Sequence, residues 1–216
     1  DLQPIYSQKD VKNLEPLLEN LPGEYPFLRS NERLGYKKNG WAIAQRIASP
    51  TPELFNKFLI NGLEKGQNAV VITPNEEFAI SPKNYSATSC TKSLMLSSAA
   101  DVEVALKDVD FSCVSLMVKS NSLGMELAAM LCSHLAKQNI KPEDVCISFG
   151  ISPLNELKLK GKPSIPISKL IDDAEQLIKW KKSVGSKARV LSVNAETFFN
   201  GGSSSVQDVG YAIAEG

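Results

Sequence analysis

Histidine is nearly missing from this sequence: one imidazole, His134, in 216 residues. Any general base working near neutral pH must therefore be His134 or a carboxylate, cysteine or lysine with a shifted pKa. His134 falls mid-helix by pattern, in Ala128–Ala136. Sites of parallel α/β proteins sit on loops at strand ends, so it reads as a helix-face residue, not a catalytic one. Cysteine is scarce too. Cys90, Cys113, Cys132 and Cys146 form no Cys-x-x-Cys pair, so a metal site is not expected, and all four read as buried, reduced, small apolar side chains. Net charge is absent as well: 24 basic residues balance 24 acidic ones, which gives nucleic acid or an anionic membrane no overall attraction. No apolar run approaches the roughly 18 to 20 residues that span a bilayer. The first 30 residues hold acidic groups and prolines where a secretory leader would carry its apolar stretch. A soluble, cytoplasmic protein without nucleic-acid or membrane partners is the expectation.

Apolar material is present in normal amount, 43% of residues, enough for a sizeable core. It is unevenly arranged. Residues 1–50 contain Pro4, Pro16, Pro22, Pro26 and Pro50, little periodicity, and the aromatics Tyr6, Tyr25, Phe27, Tyr36 and Trp41. That combination suggests an extended N-terminal arm anchored by large side chains. From Thr51 the pattern becomes regular, with Thr51 as N-cap, Pro52 at the first helical position, and Leu54, Phe55, Phe58, Leu59 and Leu63 along one face before Gly66.

Four short apolar runs follow: Ala69–Ile72, Cys113–Val118, Val145–Phe149 and Ala188–Val193. They read as strands buried on both faces. Helical patterns lie at 99–108, 121–138, 166–183 and 204–215. Strand then helix, four times, predicts a parallel sheet covered by helices over residues 51–216. An eight-unit closed barrel would need about as many residues again, so the expectation is half a (β/α) TIM-type barrel, with an open four-stranded sheet as the alternative. Residues 74–97 interrupt the first unit, and there Phe78–Ile80 and Ser93–Leu96 can form a small hairpin.

Candidate chemistry is sparse. After the fourth strand, Asn200-Gly201-Gly202-Ser203 precedes a helix, and its backbone can cradle a phosphate or carboxylate at Gly201, Gly202 and Ser203; an ordinary glycine turn before a serine N-cap is the plainer reading. The Lys-Ser/Thr ending of a nucleotide-binding P-loop is missing. Lys119 ends the second strand, where an imine-forming lysine can stand, yet its polar neighbours Ser120 and Asn121 favour a surface lysine. The basic stretches 157–162 and 179–182 can meet an anionic ligand or form solvated helix ends. Asp172, Asp173, Asp108 and Asp110 read as surface groups, not a paired carboxylate site.

Several stretches resemble the N-terminal part of methylmalonyl-CoA mutase. Pro4-Ile5-Tyr6 followed by Asp10, Leu21-Pro22-Gly23 with Pro26-Phe27-Leu28-Arg29, and Gly40-Trp41-Ala42-Ile43-Ala44-Gln45 are similar to three motifs of that family's arm. Asn200–Gly216, with Gln207-Asp208-Val209-Gly210-Tyr211-Ala212, is similar to a motif farther along its barrel. The resemblance implies a barrel threaded by coenzyme A and a radical interconversion of methylmalonyl-CoA and succinyl-CoA, in which adenosylcobalamin carries the hard chemistry. It also shows departures. Where catalytic chains have a substrate-binding arginine this chain has Ala44, where they have a tyrosine beside the substrate it has Arg46, and their active-site histidine falls on Thr197. Alanine cannot supply the bidentate hydrogen bonds of arginine to a carboxylate. The family's cobalamin-binding signature is absent. These losses resemble the non-catalytic small subunit of the two-chain enzymes. They imply a component of an isomerase without catalysis or cofactor of its own, paired with a catalytic large subunit or self-associated, through an arm presenting Tyr6, Phe27, Arg29 and Trp41. A full small subunit would continue past Gly216, so an N-terminal fragment or truncated relative is expected. A module that binds CoA or another phosphate ligand is the alternative.

Overall fold

A computed structural model describes residues 3–14, 19–37, 40–75 and 93–216. The chain divides into two units, Asp1–Ala42 and Ile43–Gly216.

In the first unit proline denies the backbone regular partners, and side chains take over. Among the described residues, two short 3-10 helices, Gln8–Leu14 and Gly35–Lys37, are its regular elements. The Asp10 carboxylate accepts hydrogen bonds from the backbone N–H (2.6 Å) and hydroxyl (3.0 Å) of Ser7, which fixes the first turn. Asn20 clamps the proline-rich bend: its amide donates to the carbonyls of Glu24 (3.3 Å) and Tyr25 (3.0 Å), and its oxygen accepts from Leu28 N–H (3.3 Å). Tyr6, Phe27, Arg29 and Trp41 are all exposed.

The second unit is one parallel sheet of five strands in sequence order: β1 (Ala44–Arg46), β2 (Ala69–Ile72), β3 (Ser115–Val118), β4 (Ile147–Ile151) and β5 (Arg189–Leu191). Among the described residues the helices are α1 (Pro52–Glu64), α2 (Ala99–Ala105), α3 (Gly124–Lys137), α4 (Asn155–Lys160), α5 (Ile167–Ser183), α6 (Glu196–Asn200) and α7 (Ser205–Glu215). Thr51 caps α1 by accepting Leu54 N–H (3.3 Å), with Pro52 just inside, where its missing N–H costs nothing. Val70, Ile72, Leu116, Ile147 and Phe149 pack with Phe55 and Leu59 of α1, Val102 of α2, and Leu127, Leu131 and Leu135 of α3. Each fully buried side chain of this kind contributes about 1.5–3 kcal/mol. The sheet is not closed; β1 and β5 are its edges, as in part of a TIM barrel.

The sequence patterns locate four of the strands and the longer helices. They miss β1, which lies within the stretch read as the arm: Ala-Gln-Arg has no branched or aromatic residue and is held by pairing with β2, Ala44 opposite Ala69 and Arg46 opposite Val71. The short helices α4 and α6 also escape the patterns, since one or two turns show no period. Two corrections concern cysteine: Cys113 and Cys146 are exposed, because each precedes its strand at the sheet's N-terminal end, while Cys132 on α3 is half-buried. Burial pushes the Cys132 thiol up to about 11, which keeps it protonated. Asp173 is buried rather than on the surface, and Lys169 donates to it at 3.0 and 3.2 Å. Phe78–Ile80 of the expected hairpin, like Cys90, lies outside the described residues, whereas Leu94 forms an isolated parallel bridge with Pro74.

Candidate functional site

The C-terminal ends of β3, β4 and β5 converge on a set of polar side chains. Beyond β3, the buried Ser120 hydroxyl donates to the Phe149 carbonyl (2.6 Å) and pins the loop onto β4. Asn121 then turns through the left-handed region (φ 45°), which asparagine tolerates better than most residues. On β4, Gly150 has φ 64°, and a Cβ there would run into the Val118 carbonyl, so glycine is required where β4 crowds β3. The β4–β5 register shifts between Ser148 and Ile151, at this glycine.

Three asparagines link the loops. Asn155, at the start of α4 and buried, donates to the Asn121 side-chain oxygen (3.2 Å) and accepts from the Asn194 amide (3.2 Å), whose own oxygen accepts Glu196 N–H (3.0 Å). Behind them lies a largely buried ion pair, Lys158 to Glu215 at 2.6 Å, with side chains 10% and 9% exposed. Lys158 also donates to the Asn194 carbonyl (2.7 Å) and sits 5.2 Å from the centre of the Phe198 ring, which stacks on Tyr211 at 4.2 Å. Desolvated charges persist only with such multiple partners.

These loops and the short helices α4 and α6 rim a cavity of about 470 Å³ on the sheet face opposite the core-packed α1, α2, α3 and α5. Its floor is a transverse row set by strand register: Arg46 opposite Val71, Val71 opposite Met117, Met117 opposite Ser148. Lys119, Asn121, Asn155, Glu196, Thr197 and Asn200 form the walls. Among the described residues its charges are Arg46, Lys119 and Glu196. Lys119 approaches Glu196 only to 4.0 Å with both half-exposed, a contact worth little. Arg46 has no ion-pair partner among the described residues. The site thus offers a net positive, amide-rich surface beside apolar Val71 and Met117, suited to holding an anion with an apolar body. Among the described residues, its only carboxylate is that of Glu196.

Of the positions singled out in sequence, Arg46, Thr197 and Lys119 meet in this cavity. Ala44 stands two residues before Arg46 on β1 and does not line it. Gly201, Gly202 and Ser203 follow α6 outside it, and their N–H groups donate to the carbonyls of Thr197, Phe199 and Phe198 at 2.9–3.1 Å. The Ser203 hydroxyl is bonded to Asp208, and Ser204 caps α7 in a capping box with Gln207. His134 is on the helix side of the sheet, its ring edge-on to Phe111 (6.1 Å) and 3.3 Å from the Gln138 amide. Asn121, Asn155 and Asn194 escaped sequence reasoning. Their signal was positional: each stands just past the end of a strand.

An open parallel α/β sheet with its polar cavity at the C-terminal strand ends defines the class, part of a (β/α) barrel. The methylmalonyl-CoA mutase family model matches residues 1–216, and the chain belongs to that family. It is 22% identical over 217 residues to the methylmalonyl-CoA mutase small subunit of Propionibacterium freudenreichii subsp. shermanii, covering 100% of this chain and 30% of that protein. The small subunit of Porphyromonas gingivalis is also 22% identical, over 224 residues, with 100% and 31% covered. A probable methylmalonyl-CoA mutase large subunit of Mycobacterium tuberculosis is 20% identical over 226 residues, with 100% and 30% covered. The chain spans about 30% of the length of these relatives.

Proposed function

We propose that this chain is a non-catalytic, structural component of a methylmalonyl-CoA mutase, the N-terminal part of a small-subunit-like barrel that assembles in the cytoplasm with a catalytic large subunit. The carrying observation is the cavity itself. Arg46 and Thr197 occupy it, where the resemblance assigns catalytic chains a tyrosine and a histidine, and Ala44 replaces the arginine that would grip the substrate carboxylate. Without those groups, the described residues of the cavity hold no arginine, tyrosine or histidine where the resemblance expects them for positioning a thioester. The family works with adenosylcobalamin, which supplies the radical when bound. The residues here do not fit it as a cobalt ligand set: the sole histidine is buried against Phe111 and Gln138 behind the sheet. The exposed aromatics Tyr6, Phe27 and Trp41, with Arg29, suit an arm that grips a partner.

Light scattering on the chain mixed with a cobalamin-binding mutase large subunit tests this. A stoichiometric complex, lost on deletion of the first unit, residues 1–42, is expected. Turnover of methylmalonyl-CoA by the chain alone with adenosylcobalamin overturns the reading. The second reading, binding of CoA or another phosphate ligand, is favoured by Arg46, without an ion-pair partner among the described residues, and Lys119 lining one cavity of ligand size. Calorimetric titration with CoA decides it: heat that disappears in Arg46→Ala supports it, and no heat ends it.

A further inference from the structure

The two glycines after α6 differ in what the backbone asks of them. Gly202 has φ 93°, so glycine is required there, and it closes the helix: its N–H donates to the Phe199 carbonyl (2.9 Å) and the next N–H, of Ser203, to the Phe198 carbonyl (3.1 Å). Gly201 has φ −78° and ψ −2°, ordinary right-handed backbone that any residue adopts. A Cβ there would meet the Phe198 and Thr197 carbonyl oxygens at 3.3 and 3.4 Å, a slight squeeze. The conformation therefore does not require glycine at 201. What Gly201 supplies is chemical: with no side chain in the way, its backbone nitrogen can reach the Asn200 side-chain amide. Two hydrogen bonds hold that nitrogen back, to the carbonyls of Thr197 (3.1 Å) and Phe198 (3.0 Å), and both belong to a helix of five residues with none buried. So short a helix is marginal, and its last turn opens at little cost. The same dipeptide at Asn61-Gly62 lies inside α1, 13 residues long and anchored by buried Phe55 and Leu59.

We propose that Asn200 is a self-modification site that resets the charge of the cavity. When the end of α6 opens, the Gly201 nitrogen loses its proton to solvent base and attacks the Asn200 side-chain carbonyl carbon. A C–N bond forms, the bond to the amide nitrogen breaks, and ammonia leaves behind a cyclic imide. Water then opens one imide C–N bond and yields aspartate or isoaspartate at position 200, so no oxidant, reductant or second enzyme is needed. Because the peptide nitrogen must first deprotonate, the rate rises with pH. Asn200 lines the cavity with Arg46, Lys119 and Glu196, so among the described residues the lining passes from two cations and one carboxylate to two of each. A carboxylate there competes with an anionic ligand for Arg46 and Lys119. That consequence rests on the ligand-binding reading above, whereas the modification itself is decided by residues 195–203 alone.

Peptide mapping by mass spectrometry tests it, on the 216-residue chain held folded at mildly alkaline pH. Conversion at Asn200 is expected about tenfold faster than at Asn61, since the closing of α1 protects the second pair. Gly201→Ala, at a backbone angle that suits any residue, is expected to keep the fold by circular dichroism and to slow conversion by a similar factor. Equal rates at Asn200 and Asn61, a rate that Gly201→Ala leaves unchanged, or one that does not rise with pH each overturn the proposal. Calorimetric titration with CoA then reads the consequence. Asn200→Asp installs the carboxylate directly and is expected to bind about tenfold more weakly than the unmodified chain. Equal affinity overturns the claim that position 200 sets the charge of the cavity. No heat from the unmodified chain ends the ligand-binding reading and leaves conversion at Asn200 standing.

Discussion

Helices α3 and α7 have similar lengths and comparable apolar content, and opposite fates. Helix α3 lacks a side-chain cap at its N-terminus, yet buries Leu127, Ala128, Leu131, His134 and Leu135 between the sheet and its neighbours. Helix α7 has a complete capping box, Ser204 with Gln207, and buries none of its residues. Local signals start a helix, but burial anchors it; caps contribute about 1 kcal/mol each and a packed apolar face several times that.

Mutation should separate the two helices sharply. Leu131→Ala in α3 empties space in a fully buried position and should cost about 2–5 kcal/mol, whereas Val206→Ala on α7 should stay within about 0.5 kcal/mol, both read by urea denaturation at constant slope. Equal effects would mean that α7 is covered in solution. The anchor of α7 comes next. Lys158→Met strands the Glu215 carboxylate in a buried setting and should cost about 3 kcal/mol, with hydrogen exchange rising across α7, while Lys158→Met with Glu215→Leu recovers much of it. Exchange unchanged in the single variant would show that the ion pair does not hold the helix.

Ser204→Ala should cost about 1 kcal/mol and fray the first turn of α7, whereas α3 offers no equivalent side chain to remove. Amide exchange at Val206–Asp208 reads the effect. The smallest expected effect is on pH. Burial lowers the His134 pKa below 6.5, opposed by Glu103 and assisted by Lys137. The unfolded chain therefore takes up a proton before the folded one does. Stability is full above pH 6.5 and falls as pH drops through the folded value. His134→Gln should flatten stability between pH 7 and 5; an unchanged slope would place its origin elsewhere.

The candidate site was less legible than the fold. Arg46 and Thr197 stood out in sequence only through family resemblance, and they lie about 150 residues apart until parallel strand order brings β1 and β5 around one concavity. The asparagine chain had no motif at all. Asn155 matters because β4 ends beside β3 and β5, which is a fact of register and not of spacing. For the glycine pair Gly201-Gly202 the sequence offered a phosphate cradle beside the plainer glycine turn, and its N–H groups terminate α6, because a five-residue helix leaves carbonyls nearby that need donors.

By itself the sequence determined the alternation of strand and helix, the start of α1 at Thr51-Pro52 and the apolar faces of α1, α3, α5 and α7, because those follow from periodicity and local capping. Tertiary structure alone decided that Ala44–Arg46 is a strand and that Lys158 and Glu215 pair out of water. Each depends on which distant backbone arrives alongside, and no local free energy encodes that.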